Sequence, residues 1–291
     1  MLSTWLRAIR IRFLLASIIA VSNGLAIAYW KTGTINPLYA ALTYVGVIFL
    51  HASVDLLNDY WDHKRGIDAA TTRTKFSGGT GVLPEKLLTP RTVYTAGVIF
   101  LILGASVGTY FVAVRGITIA VILGFAVVAI YFYSTSIVNA GLGELFVAIK
   151  GAMIVLGAFY VQSGVVDPSA FFVGAIVGIL SSTVLFVNSF PDLEADRLKG
   201  RRTLVILLGK KRAANTLPLF IIVAYAMIIA GIFLGFTKIY SLSSLASIPF
   251  AVKSIVSLNK NQSVQSLVPA MASVVTYSRI TGVLLALSLL I

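Results

Sequence analysis

Long apolar runs separated by short polar segments dominate this sequence. A membrane-spanning helix needs roughly 20 mostly apolar residues, and about nine runs reach that length. They cover residues 11–30, 37–57, 91–112, 116–134, 143–162, 169–189, 214–235, 239–257 and 266–290. A count of eight stays open, because the stretches 91–134 and 214–257 are hard to divide. The pattern predicts an all-α polytopic membrane protein.

The composition supports this class. Mean hydropathy is +0.95 and charged residues make up 11% of the 291 positions, which is typical of a chain that lies mostly in lipid. The first run lacks a small-residue cleavage site and ends at Tyr29-Trp30-Lys31 like an interfacial anchor, so we interpret it as a retained helix. The absence of cysteine excludes disulfides and thiolate sites. We expect a single transmembrane domain over residues 1–291.

The basic residues lie mostly on one side of the predicted helices. Of the 23 Lys and Arg, 18 lie in the N-terminal tail, in segments 58–91 and 188–213, or at Lys253 and Lys260. The positive-inside rule therefore predicts a cytoplasmic N-terminus and cytoplasmic acid clusters. The net charge of +13 follows from these loops and favours contact with membrane lipids, with no nucleic-acid partner.

Acidic residues are few and clustered. Six of the seven aspartates lie within residues 55–68 or 192–196. Carboxylates repel one another and are costly to desolvate alone, so this clustering indicates a shared cationic partner. The clusters lie four runs apart, which suggests two four-helix repeats, about 1–134 and 143–257, plus a final helix. Such repeats would bring the clusters face to face.

The first cluster has the spacing of a metal site. If the second helix continues through it, Asn58, Asp59 and Asp62 share a face at the helix end and can ligate one metal together. Asp68 follows Gly66, where the chain can turn back toward them.

The second cluster repeats this chemistry. Asn188, Asp192 and Asp196 recur every four residues and share a helical face, although Pro191 is expected to kink the helix there. Glu194 points elsewhere.

Basic residues accompany both clusters. Magnesium prefers oxygen ligands and completes its coordination shell with water and phosphate oxygens, while Lys and Arg neutralise the remaining phosphate charge. The combination predicts a metal-bound diphosphate, against the alternative of solvated loops with local ion pairs. The basic candidates are Lys64, Arg65, Arg73, Lys75, Lys199, Arg201 and Arg202.

These motifs resemble a known family. Asn58-Asp59-x-x-Asp62 with Asp68, and Asp192-x-x-x-Asp196 followed by residues 200–204, Gly-Arg-Arg-Thr-Leu, are similar to the UbiA superfamily of intramembrane prenyltransferases over nearly the whole chain. The resemblance implies a helical bundle around a central lipid-open cavity. It also implies that Asn58, both Asp motifs and Mg²⁺ bind the diphosphate of a polyprenyl donor, with two ions and Mn²⁺ as a substitute.

The subgroup is suggested by further stretches. Residues 141–146, 78–83 and 188–204 look like the menaquinone-pathway dihydroxynaphthoate prenyltransferases. Two departures from that subgroup leave the identity of the acceptor open. Residues 136–139 replace the Gly-Pro that usually follows the Tyr-Thr matching Tyr133-Ser134, and Ile11 replaces a common proline.

The expected reaction starts with ionisation of the allylic diphosphate, assisted by metal and cationic side chains, with Asp62, Asp192 and Asp196 as the catalytic residues. A dry cavity protects the allylic carbocation until an acceptor attacks it. Aromatic side chains could shield that cation, and polar residues within or beside the runs are further substrate candidates. These candidates are Arg10, Tyr133, Ser134, Glu144, Lys150 and Asn188, while His51 and Asp55 are expected to support the metal site by a hydrogen bond.

Three alternatives remain beside a prenyltransferase with an aromatic acceptor: one concerns the acceptor and two concern the class of protein. A non-aromatic lipid alcohol could receive the prenyl group. A CDP-alcohol phosphotransferase would also place aspartates at helix ends, but its compact Asp-Gly and Ala-Arg motif is missing. A membrane transporter would distribute polar residues along a path, whereas here they concentrate at one face.

Overall fold

The computed structural model describes residues 1–260 and 263–291, and within these ranges it contains helices and turns but no β-strand. Nine helices of this described part are long and apolar enough to cross a membrane. They are α1 Ile11–Thr32, α2 Pro37–Lys64, α3 Pro90–Arg115, α4 Ile117–Ala140, α5 Gly143–Ser163, α6 Pro168–Asn188, α7 Lys210–Phe233, α8 Ile239–Lys260 and α9 Gln265–Leu290. The predicted all-α membrane class is confirmed, and the described residues contain the predicted nine candidate spans and not the alternative count of eight.

Short helices flank the spans at the end of the bundle that holds the acid clusters. One precedes α1, one follows α2, and two lie between α6 and α7. They are Leu2–Ala8, Ile67–Ala70, Leu193–Leu198 and Leu204–Leu208. Three of these segments were expected to be loops, because each is too short to produce a clear apolar period. The segment Leu193–Leu198 was instead expected to belong to a helical face that continues from Asn188.

Three of the long helices start with the same local signal. Asn36, Thr89 and Asp167 each cap a helix whose first residue is proline, and the cap side chain accepts a backbone N–H two or three residues later, at 2.7–3.2 Å. Proline suits this position because its missing N–H would have no partner in the first turn. These caps set the starts of α2, α3 and α6.

The helices form one bundle, in which one side is packed around the main hydrophobic core and the other side borders a cavity. The main hydrophobic core draws its residues from α1 and α5 through α9. Here α5 and α6 approach closely, because a Cβ atom on Gly151 would lie only 2.8 Å from Gly178 Cα. Small residues allow such backbone contact between membrane helices. Helices α2, α3 and α4 stand on the other side of a cavity.

The cavity has a volume of about 420 Å³ and extends from the acid clusters into the bundle. Its walls come from α1 through α6 and α9, and most of the lining side chains are apolar. The structure therefore places a hydrophobic chamber below a polar end. The two-repeat organisation stays a prediction.

Candidate active site

The first acid cluster lies on a continuous helix, as predicted. Because α2 runs to Lys64, Asn58, Asp59 and Asp62 occupy its last two turns, and both aspartates are buried. Asn58 Nδ2 donates to Asp62 Oδ2 at 3.1 Å. Asp59 accepts a hydrogen bond from Arg10 Nη2 at 2.6 Å and another from Thr80. The cluster is thus held by the Asn58 amide, by Arg10 and by Thr80 of residues 78–81, Gly-Gly-Thr-Gly, which we call the glycine-rich segment.

Asp68 lies beside this cluster. Gly66 has φ +70°, which turns the chain into the short helix that carries Asp68. The buried carboxylate lies against Gly79, since a Cβ atom there would come within 2.5 Å of Asp68 Oδ1. Burial, followed by the charges of Asp59 and Asp62, raises the pKa of Asp68 to about 8. The side chain therefore lies where negative charge is already concentrated.

The second cluster is not a single helical face, and that prediction was wrong. Helix α6 ends at Asn188, and a separate helix, Leu193–Leu198, starts after Pro191. Proline has no N–H to continue the helix and its ring clashes with the preceding turn. Asp192 instead lies at the junction, where its Oδ2 accepts the Gly78 N–H at 3.2 Å. Burial and then the charge of Asp196 raise the pKa of Asp192 to about 7.

Arg201 joins the two clusters. Its Nη1 donates to Asp196 Oδ1 at 3.0 Å, and its Nη2 forms an ion pair with Asp62. Both aspartates are buried, and 11% of the arginine side chain is exposed. The structure therefore brings the two acid segments together at one end of the cavity, as expected, but with a cation of the chain itself between them.

Two oxygens of the second cluster lack hydrogen-bond partners. Asn188 Oδ1 and Asp192 Oδ1 are buried and unpaired, and both residues line the cavity. Within residues 1–260 and 263–291, no three His, Asp or Glu side chains converge closely enough to hold a metal ion. Arg201 pairs with one aspartate of each cluster, and Arg10 pairs with Asp59 of the first.

Most of the other predicted polar residues also face the cavity. Arg10, Tyr133, Glu144 and Lys150 line it, as do Asn58 and Asn188. Ser134 is one contact away, because its hydroxyl donates to Asn58 Oδ1 at 2.7 Å. Tyr133 and Ser134 begin a π-helical turn, Tyr133–Ile137, in the region where Ser136 to Asn139 replace Gly-Pro.

The remaining basic candidates lie outside the cavity lining. Arg65 links the end of α4 to the segment after the helix Leu193–Leu198. It donates to the Ser134 and Lys199 carbonyl oxygens, both at 3.0 Å. Arg73 is paired with Glu85, which also binds Arg7 at 2.7 Å. The exposed candidates are Lys64, Lys75, Lys199 and Arg202.

The Glu85 ion pairs were missed by the sequence analysis. Two hydrogen bonds from Arg7, with one from Arg73, lower the pKa of Glu85 to about 2, although 40% of the glutamate side chain is exposed. Arg7 Nε also donates to the Thr80 carbonyl oxygen at 2.6 Å. The N-terminal helix is thereby attached to the glycine-rich segment. Residues 73 apart in sequence give no local signal of such a contact.

Glu144 has a clear local role. Its carboxylate accepts the Leu204 N–H at 3.2 Å, which ties the start of α5 to the segment after the second cluster. The expected hydrogen bond between His51 and Asp55 is absent, since Nε2 and Oδ2 are 3.6 Å apart. His51 Nδ1 is instead hydrogen-bonded to Ser17 Oγ at 2.6 Å.

A family model provides the decisive comparison. The model of the UbiA prenyltransferase family matches residues 16–286. The chain belongs to the UbiA prenyltransferase family. It is therefore an integral membrane enzyme that transfers prenyl groups, and the transporter alternative is not supported.

Relatives agree with this assignment. The chain is 26% identical to the 1,4-dihydroxy-2-naphthoate octaprenyltransferase of Bacillus subtilis, over 96% of this chain and 89% of that protein. It is 28% identical to the enzyme of the same name from Escherichia coli, over 72% and 70%. A solved UbiA homolog from Archaeoglobus fulgidus, bound to DMAPP and Mg²⁺, has the same fold, with TM-score 0.67, 15% identity and coverage of 97% and 99%.

Proposed function

We propose that this prenyltransferase moves an isoprenyl group from an allylic polyprenyl diphosphate to an aromatic or other lipophilic acceptor, in quinone or related lipid biosynthesis. The observation that supports this most directly is the meeting of both acid clusters, with their arginines, at the polar end of an apolar cavity. A diphosphate needs the polar end and an isoprenyl tail needs the apolar walls. The names of the bacterial relatives favour a naphthoate acceptor.

The residues fit a hard divalent cation. The unpaired oxygens Asn188 Oδ1 and Asp192 Oδ1 are ligand atoms of the type that Mg²⁺ prefers. Buried carboxylates with raised pKa values are likewise stabilised by a nearby cation. We propose that two Mg²⁺ ions, or Mn²⁺ in their place, are held by the acid side chains and the first asparagine. These are Asn58, Asp59, Asp62, Asp68, Asp192 and Asp196.

The side chains of the cavity support the chemical step. When bound, Mg²⁺ neutralises charge on the departing diphosphate. Arg10 and Arg201, already inside the site, add positive charge at the same end. We propose that the apolar walls exclude water from the allylic cation and that Tyr133, which lines the cavity, shields the cation by the π face of its ring.

We also propose the predicted orientation, with the N-terminus and the active-site loops in the cytoplasm. The basic residues support it, because 18 of 23 Lys and Arg lie in the segments on that side. A cytoplasmic site would receive a polar diphosphate from the aqueous side and a tail from the bilayer.

Metal dependence tests the proposed function. Purified protein in detergent should transfer a labelled prenyl group from geranyl diphosphate to 1,4-dihydroxy-2-naphthoate in Mg²⁺ and lose this activity in EDTA. Addition of Mn²⁺ to the EDTA-treated and desalted enzyme should restore it. Equal transfer with and without divalent metal would contradict the proposal.

Metal binding should release protons. A ligand carboxylate must be deprotonated, and Asp68 and Asp192 have pKa values raised to about 8 and about 7. Because their folded-state pKa values are raised, protons compete with Mg²⁺, and apparent affinity should increase from about pH 6 to about pH 9. Calorimetry near pH 7 in two buffers of different ionisation enthalpy measures the released protons. Affinity that does not change with pH would contradict this prediction.

A further inference from the structure

A second polar group lies on the cavity wall, deeper than the acid clusters. It consists of Ser17 on α1, His51 and Asp55 on α2, and Lys150 on α5, and all four residues line the cavity. Asp55 precedes Asp62 by seven residues, which is about 10 Å along a helix. Asp59 lies one helical turn from Asp55, and Arg10 lies beside both carboxylates. The inner polar group therefore begins one turn below the first acid cluster and continues along the cavity wall to Lys150.

Asp55 presents an unused acceptor to the cavity. Its Oδ2 is buried and has no hydrogen-bond partner. His51 Nε2 is 3.6 Å away and Arg10 Nε lies 3.9 Å from Oδ1, so both are too far for hydrogen bonds. The Arg10 guanidinium is bonded instead to Asp59, at 2.6 Å. Asp55 can therefore accept a hydrogen bond from a bound molecule.

Lys150 presents unused donors to the same space. Its ammonium group makes no hydrogen bond or ion pair with any residue that the structure describes, and it lines the same cavity as Asp55 and His51. A Lys within a membrane helix is costly and usually faces a polar cavity or a functional partner. The side chain thus offers three N–H donors, on α5, to a ligand in the cavity.

We propose that Asp55 and Lys150 form the subsite that binds the acceptor. This inference rests on the proposed prenyl transfer. The acceptor presents a hydroxyl group to Asp55 and an anionic oxygen, such as a carboxylate, to Lys150. During transfer the bond from C1 of the donor to the diphosphate oxygen breaks and a bond from C1 to the acceptor forms. The new bond forms at a ring carbon of the acceptor, the O–H bond of the hydroxyl group beside Asp55 breaks, and its proton passes to the Asp55 carboxylate while diphosphate leaves. His51 is hydrogen-bonded to Ser17 and lies beside Asp55 without a hydrogen bond to it.

The test pairs two acceptors with two variants. With geranyl diphosphate as donor, the wild-type enzyme should prefer 1,4-dihydroxy-2-naphthoate to 1,4-dihydroxynaphthalene, which lacks the carboxylate. Lys150→Met should raise KM for the carboxylated acceptor by about 10- to 100-fold and abolish this preference, with KM for the donor unchanged. Asp55→Asn should lower kcat for both acceptors by about 100-fold.

Several outcomes separate this inference from the proposed function. Slow hydrolysis of the donor without acceptor should persist in both variants, which also shows that they are folded. Arg279→Met is the matched control and should keep the preference for the carboxylated acceptor. Arg279 also lines the cavity within a span, but its guanidinium donates to the Arg12 carbonyl oxygen at 2.5 Å. A wild type that lacks the preference, or a Lys150→Met variant that keeps it, overturns the subsite. A wild type that releases no diphosphate overturns the proposed function instead.

Discussion

Replacing Asp62 or Asp196 by asparagine is expected to reduce prenyl transfer by roughly 10³-fold or more. The two carboxylates come from opposite segments of the site, are both buried, and share Arg201 as a partner. Each substitution removes one negative charge where the proposed Mg²⁺ and diphosphate meet, while it keeps the size of the side chain. The loss should appear in kcat measured at saturating Mg²⁺.

Glu194→Gln is the matched control for this prediction. Glu194 lies between Asp192 and Asp196 in sequence, but its side chain is exposed. Its activity should stay within about twofold of wild type, because exposed charges away from a site contribute little. Thermal unfolding in detergent should show that all three variants are folded. Full activity in both aspartate variants would remove the basis for the diphosphate site.

The helices and the location of the site could be predicted because they depend on local patterns. Apolar runs give the spans, and an Asn, Thr or Asp before proline marks where α2, α3 and α6 begin. Helix α2 continues through Asn58 to Asp62 because nothing there breaks it. At Pro191 a known breaker is present, yet the sequence alone did not show whether it would bend the helix or end it.

The partners of the basic residues could not be predicted. Seven basic candidates accompany the acid clusters and look equivalent in sequence, but Arg201 alone among them lines the cavity. Its contact with Asp62 spans 139 residues, and depends on how α2 packs beside the segment after α6. Arg65 and Arg73 are engaged elsewhere for the same long-range reason. Spacing along the chain carries no information about such contacts.

Replacing Arg201 by methionine is expected to move two measured quantities in opposite directions. Prenyl transfer should fall by roughly 10²-fold, because the site loses a cation that faces the diphosphate. Apparent affinity for Mg²⁺ should rise, because Arg201 already neutralises Asp62 and Asp196 and so competes with the metal for the same oxygens. Calorimetric Mg²⁺ titration beside a steady-state assay measures both.

Stability provides a third readout for the same variant. Without Arg201, Asp62 and Asp196 are buried beside each other unpaired, which costs about 3–5 kcal/mol for a broken buried pair, so thermal unfolding in EDTA should shift to lower temperature. Mg²⁺ should raise the midpoint more in the variant than in wild type, since the metal replaces the missing cation. Arg202→Met, at the exposed neighbouring position, should change none of these quantities. Weaker Mg²⁺ binding in Arg201→Met would instead mean that the arginine holds the two acid segments in place for the metal.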